Sequence, residues 1–238
     1  MRPPGSDSRV PIALGLVLDE PDPARRIALA LEAEALDCES IWLSPERDED
    51  GLLALAALAR ATSRLRVGIW GHALASRHPL VSAGEIAAAD LASGGRVEVG
   101  LCDAGGAALA EAITVCKKLW SDPSVEHRGS CFALDETSLA KRPVQKPWPR
   151  LHLAGDSDAA LYRAARMGDG WIAVGHSPAS IATPLRRLRE HRAHAETLDG
   201  RFQVSARADG ADRAELLRWQ EAGVERLIVT FEALRILA

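Results

Sequence analysis

Residues 151–171 read Leu-His-Leu-Ala-Gly-Asp-Ser-Asp-Ala-Ala-Leu-Tyr-Arg-Ala-Ala-Arg-Met-Gly-Asp-Gly-Trp. A short apolar strand breaks at Gly155 and passes at once into a helix. Such a junction leaves backbone N–H groups free at a helix N-terminus, which attracts an anion such as a phosphate. Gly155, Asp156 and Ser157 are therefore a candidate binding corner. The same residues also suit a plain N-cap, with Asp156 or Ser157 accepting from the first turn. Both readings stand at this point. His72 follows the apolar run 65–70 and offers an imidazole for acid–base work or a substrate contact. Its bland role is a loop histidine at a rim. Glu46 is the carboxylate best placed for similar work, although it stands in a charged run, Glu46-Arg47-Asp48-Glu49-Asp50, that also reads as a solvated surface. Cys102 ends another apolar run. No activating base stands with it, so packing is its simpler role. His176 follows the run 171–174, in reach of an anionic tail or simply at the surface. His152 lies within a strand beside no obvious partner. No histidine pair has metal-ligand spacing with a supporting carboxylate, so no metal centre is expected.

The wider sequence narrows the function classes. Its 29 Lys and Arg face 33 Asp and Glu, a formal net charge of -4, so no basic footprint points to nucleic acid or an anionic membrane. Charged residues interrupt every candidate membrane span. Residues 1–9 are polar and proline-rich and read as a disordered tail without the apolar core of a signal peptide. Cys38, Cys102, Cys116 and Cys131 are scattered with no CxxC pair, which fits free thiols in a cytoplasmic protein.

These candidate residues sit at the ends of a repeating pattern. Apolar runs at 12–18, 40–44, 65–70, 96–101, 151–154, 171–174, 202–206 and 226–231 alternate with helical patterns at 23–36, 52–62, 79–91, 109–120, 159–167, 180–195 and 212–222. Eight strands separated by helices predict parallel pairing with right-handed crossovers. The fold class is α/β, a shortened (β/α)8 TIM barrel spanning 1–238 as one domain. Residues 121–150 break the rhythm and read as a surface excursion with a short hairpin. An open doubly wound sheet is the runner-up, but the first strand lacks the glycine-rich loop that fold wants. After the last strand only Glu232–Ala238 remains, so the eighth helix is a stub or missing. The apolar surface it would cover then needs another cover, and a homodimer supplies one.

Several motifs in order carry a family resemblance. They are Ala61-Thr-Ser-Arg-Leu-Arg-Val-Gly68, Ser76-Arg-His-Pro-Leu80 with Glu85, Ala88-Ala-Asp-Leu-Ala-Ser-Gly-Gly-Arg96, Leu119-Trp120, Lys141-Arg-Pro-Val-Gln-Lys-Pro147 and residues 151–171. Together they resemble the luciferase-like monooxygenases, the flavin- and deazaflavin-dependent barrels. Each motif alone is weak; their order and spacing cover nearly the whole chain. The resemblance implies FMN or the deazaflavin coenzyme F420 with its ring in the barrel mouth. It places the cofactor's phosphate on Gly155, Asp156 and Ser157, with His176 nearby. Trp70, Leu101 and Ala154 then form an apolar floor, and Cys102 stands at a strand end where it can face the ring. His72 and Glu46 form a polar rim. The sequence departs from the family in having Asp156 where a second small residue is common, a short loop after the second strand without its usual histidine, and no long excursion after the fourth strand.

Two functions follow. The first is an oxidoreductase or monooxygenase acting on a small organic substrate, with the cofactor carrying the difficult step. The second is a non-catalytic barrel homologue, a partner subunit or binding protein that has lost tight cofactor binding. The clipped loops and Asp156 favour the second; the resemblance favours the first.

Overall fold

The structure, a computed structural model, describes residues 12–44, 51–102, 106–195 and 202–238. The tail expected over 1–9 lies outside them. The first half contains β1 (Ala13–Leu18), α1 (Pro23–Ala35), β2 (Ser40–Leu43), α2 (Gly51–Ala61), β3 (Arg66–His72), α3 (Pro79–Ser93), β4 (Val97–Cys102) and α4 (Gly106–Ser121). Next come β5 (Val125–Arg128), β6 (Ala133–Thr137), β7 (Arg150–Ala154), α5 (Asp158–Met167), β8 (Gly170–Ala173) and α6 (Ala182–Ala193). The chain finishes with β9 (Gln203–Arg207), α7 (Arg213–Ala222), β10 (Arg226–Val229) and α8 (Phe231–Leu237).

All strands but β5 and β6 pair in parallel and close into a barrel of order β1-β10-β9-β8-β7-β4-β3-β2. The helices lie between successive strands, as in a (β/α)8 barrel. Local sequence sets their ends. Asp22 caps α1 by accepting from Ala24 N, with Pro23 at the first helical position. His78 does the same for α3 ahead of Pro79. Gly94 closes α3 in the left-handed conformation, φ 66°, that a side chain would resist.

Strand residues alternate between two cores. Leu16, Ile41, Leu43, Val67, Val99, Leu101, Leu151, Leu153, Trp171 and Val229 are buried in the larger apolar cluster, which the helices share. Trp42, Ile172 and Ile228 form a separate inner cluster, with Val17 and Trp70 packed against it. The period-two pattern of a strand sorts these sets without further instruction.

The expected excursion is a hairpin, β5 paired antiparallel with β6. Its tip is pinned by one carboxylate of α4. Glu111 accepts from Cys131 N, Phe132 N and Ser130 Oγ, and its Oε1 lies 2.9 Å from His127 Nε2. The His127 contact and these backbone donors hold the Glu111 carboxyl down at about 2. Glu111→Ala is expected to free the tip while leaving the barrel intact. Amide exchange over residues 127–132 should quicken, with no matching change in the β4 and β7 amides; equal acceleration everywhere would refute the local role. The return limb is anchored by Asp90, fully buried, whose carboxylate accepts from Gln145 N at 2.9 Å and Gln145 Nε2 at 2.7 Å.

The last helix, α8, spans Phe231–Leu237. α8 buries Ala233 and Leu234, and Arg235 reaches Glu32 of α1 at 2.7 Å. Ile236 beside it stays 70% exposed.

Candidate functional site

The C-terminal ends of barrel strands are where such folds keep their sites. Here the inner cluster makes the floor. Trp42 fills the barrel centre and is wholly buried. Space for it comes from Gly68, where a Cβ would lie only 2.4 Å from the indole. Its N–H donates to Ser40 Oγ at 3.0 Å, and Trp70 meets it edge-on with centroids 6.4 Å apart. Ile172 and Ile228 are buried at the same level, while Val17 and Trp70 are half-buried. A planar apolar ring fits such a floor, because it covers aromatic and aliphatic surface and leaves polar edges for the rim.

A charged cluster lies against the other side of Trp42. Glu98 of β4 is fully buried, with its carboxylate 2.8 Å from Arg226 Nη2 of β10 and 3.2 Å from His152 Nε2 of β7. Arg66 Nε of β3 also contacts it. Glu98 Oε2 makes only charge contacts with Arg226 and His152, without hydrogen-bond alignment. The Arg226 guanidinium stands 5.0 Å from the Trp42 ring centroid, and the His152 ring meets Trp42 edge-on at 5.6 Å. Burial alone would raise the Glu98 carboxyl, but Arg226, His152 and Arg66 outweigh it and hold it well below the carboxylate range. Burial pushes the His152 imidazole down, against the pull of Glu98. Sequence reasoning missed this cluster and left His152 without a partner. The available signal was an ionisable residue at an inward position of each of four strands.

The residues singled out by sequence take up different positions. Trp70 lies near the C-terminal end of β3, and Cys102 ends β4. Cys102 is laddered with Ala154 across β4 and β7, and burial raises its thiol, so it is not poised as a thiolate. Leu101, expected in the floor, belongs instead to the helix-facing core.

His72 takes a different position from the one its place in the sequence suggested. β3 runs two residues past the expected end and bulges between Ile69 and His72, with Gly71 at φ 66°. The extra residue reverses the alternation, so His72 pairs with outward-facing Leu101. It lines a cavity of about 480 Å³ between α2 and α3, with Arg77 and Glu85. Burial and the Arg77 charge push its imidazole down. Glu46 lies outside the described residues.

Gly155, Asp156, Ser157 and His176 do converge. Ser157 is the N-cap of α5, its Oγ accepting from Ala160 N at 3.1 Å, which is the capping alternative made real. Asp156 Oδ2 lies 2.9 Å from His176 Nε2, and His176 Nδ1 lies 3.3 Å from Ser180 Oγ. The Gly155 carbonyl accepts from Trp171 Nε1 at 3.1 Å. His176 also lines a cleft of about 300 Å³ with Arg207, Asp209 and Trp219. Among the described residues no group of His, Cys, Asp and Glu is arranged to hold a metal, and no helix is long and apolar enough to cross a membrane.

The model of the luciferase-like monooxygenase family matches residues 10–209. The chain belongs to the luciferase-like monooxygenase family. Among its curated luciferase-like relatives, an F420-dependent glucose-6-phosphate dehydrogenase of Amycolatopsis mediterranei is 29% identical over 178 residues, covering 63% of this chain and 53% of that protein. An F420-dependent hydroxymycolic acid dehydrogenase of Mycobacterium tuberculosis is 30% identical over 176 residues, covering 63% and 48%. The oxygenase component of a flavin-dependent trigonelline monooxygenase of Acinetobacter baylyi is 31% identical over 119 residues, covering 43% and 33%. The chain thus spans about half the length, or less, of the curated relatives it matches. Among solved structures, the F420-dependent tetrahydromethanopterin reductase of Methanopyrus kandleri superposes with TM-score 0.82 at 14% identity, over 96% of this chain and 97% of that one. An F420-dependent secondary alcohol dehydrogenase gives 0.80 at 15% identity, over 96% and 100%. At such identities the likeness speaks for the luciferase-like barrel alone.

Proposed function

We propose that this chain is an oxidoreductase that seats the ring of F420 or FMN on the floor of its barrel mouth and acts on a small organic substrate. The observation carrying this reading is the apolar floor of half-buried Val17 and Trp70, backed by buried Ile172 and Ile228, inside a barrel of this family. F420 and FMN dependence among its relatives supports it. When bound, the ring supplies hydride transfer or oxygen chemistry. The protein's part is to bury one ring face on Trp70, keep water from it, and hold the tail end near Gly155 and His176. Cys102 and Ala154, paired across β4 and β7, would line the edge of the ring.

A cytoplasmic location fits the scattered thiols. A homodimer fits the exposed Leu31 and Ile236, which flank the Arg235–Glu32 contact between α8 and α1. A sedimentation run giving a monomer at every concentration refutes the dimer.

A second reading is a non-catalytic homologue, and one observation favours it. His72, the acid or base that position suggested, faces the α2–α3 cavity and not the mouth. Titration separates the two. Quenching of flavin or deazaflavin fluorescence should saturate at micromolar protein. Trp70→Ala should weaken binding about tenfold through lost ring contact. No saturable binding of FMN or F420 at high micromolar concentration leaves only the second reading.

A further inference from the structure

α2 is apolar on every side. Its sequence, Gly-Leu-Leu-Ala-Leu-Ala-Ala-Leu-Ala-Arg-Ala, buries Leu55, Leu58 and Ala59 and still presents Leu53, 73% exposed. A helix that is hydrophobic all round is normally covered. Part of its outer face walls the cavity of about 480 Å³, where Leu52, Leu53 and Ala56 meet Ile69 of β3 and Ala88 of α3. Among the described residues, no member of the inner cluster around Trp42 lines this space. One end of it is polar. The bulge at Gly71 turns His72 out of the barrel and against the cavity. His72 Nε2 is buried without a hydrogen-bond partner, which costs the fold free energy. Burial and the Arg77 charge favour the neutral ring, which carries one donor and one acceptor. Arg77 Nη1 lies 3.0 Å from the Glu85 carboxylate, so the cation beside the ring is already balanced.

We propose that the α2–α3 cavity is a second small-molecule site, separate from the barrel mouth, taking an uncharged and largely apolar molecule that carries one hydroxyl or carbonyl group at His72. The volume lies in the range of small-molecule pockets, and an apolar wall with a few polar groups at one end is their usual lining. A hydroxyl or carbonyl beside His72 supplies the partner that the chain withholds. Because Nε2 is closed to water, the ring turns slightly to meet it. Charged ligands fit less well. An anion competes with Glu85 for Arg77, a cation faces Arg77 itself, and either loses its water against the leucines and alanines of α2. The site does not depend on what the barrel mouth binds.

Benzyl alcohol, benzoate and benzylammonium share one ring and differ in charge. Each is titrated against the full chain at one ionic strength, followed by the NMR methyl signals of Leu52, Leu53 and Ala56 and the ring signals of His72. Benzyl alcohol should shift them saturably and bind about tenfold more tightly than either ion. His72→Phe keeps a ring and removes its nitrogens, and should weaken benzyl alcohol about fivefold, the scale of one hydrogen bond. Ala88→Trp puts an indole into the cavity from an exposed position on α3, which spares the core. It should abolish the shifts in α2 and leave an FMN titration unchanged. Four results overturn the proposal: no saturable shift with benzyl alcohol, shifts confined to Val17, Ile172 and Ile228, displacement of benzyl alcohol by FMN, or undiminished binding in Ala88→Trp. Saturable shifts in α2 from a chain that binds neither FMN nor F420 support the cavity site and refute the cofactor reading.

Discussion

Glu98→Gln is expected to cost the fold about 3–5 kcal/mol in an equilibrium urea titration. The carboxylate is buried, and so is the Arg226 guanidinium 2.8 Å from it. Removing that charge leaves the buried guanidinium with Glu39, 3.9 Å from its Nη1, as the only counter-ion among the described residues. The arginine cannot swing to water, since its Nε donates to Ser205 Oγ and its plane stands against Trp42. The effect has a pH signature. The folded-state Glu98 carboxyl is held below its unfolded value, so its stabilisation is fully present above about pH 4.3. It fades as pH falls through the folded value, because the unfolded chain takes up a proton first. The stability gap between the parent and Glu98→Gln should therefore be constant near neutrality and narrow below about pH 4. A gap under 1 kcal/mol at pH 7, or one unchanged in acid, would show that the pair does not hold the barrel.

The second large effect is expected at Trp42. Trp42→Ala should cost about 3–5 kcal/mol, as the loss of a fully buried aromatic leaves a cavity that closed strands cannot collapse around. The glycine opposite gives an independent check. In the parent, Gly68→Ala drives a Cβ to 2.4 Å from the indole, which Ser40 and the ladder hold in place. It should destabilise by about 1–3 kcal/mol. In the Trp42→Ala background the same methyl enters empty space, so the double variant should be more stable than the two single losses add up to. Simple additivity would mean that Gly68 is not there to admit the indole.

The two cases show where reading a sequence succeeds and where it stops. The alternation of apolar residues in Val97-Glu-Val-Gly-Leu101 marks a strand, and it also says that Glu98 faces away from Val97 and Val99. It does not say that His152, Arg226 and Arg66, up to 160 residues apart in the chain, arrive on the same side. At His72 the same alternation misleads, because Gly71 inserts a residue that has no partner on β4. A glycine in a strand is a known mark of a bulge, but the register that proves one belongs to the neighbouring strand.

The sequence by itself determined the eight strands, the order of helices between them, the hairpin excursion and the family. Those features rest on short-range periodicity, caps and motifs, which are complete within a few residues. Tertiary structure alone decided which way His72 turns, which charges meet beneath Trp42, and that Asp156 binds His176. Each depends on barrel closure and strand register, which set distances between residues remote in the chain. A strand that shifts or bulges by one residue exchanges its two faces, so the contents of the barrel mouth are fixed only when all eight strands have found their places.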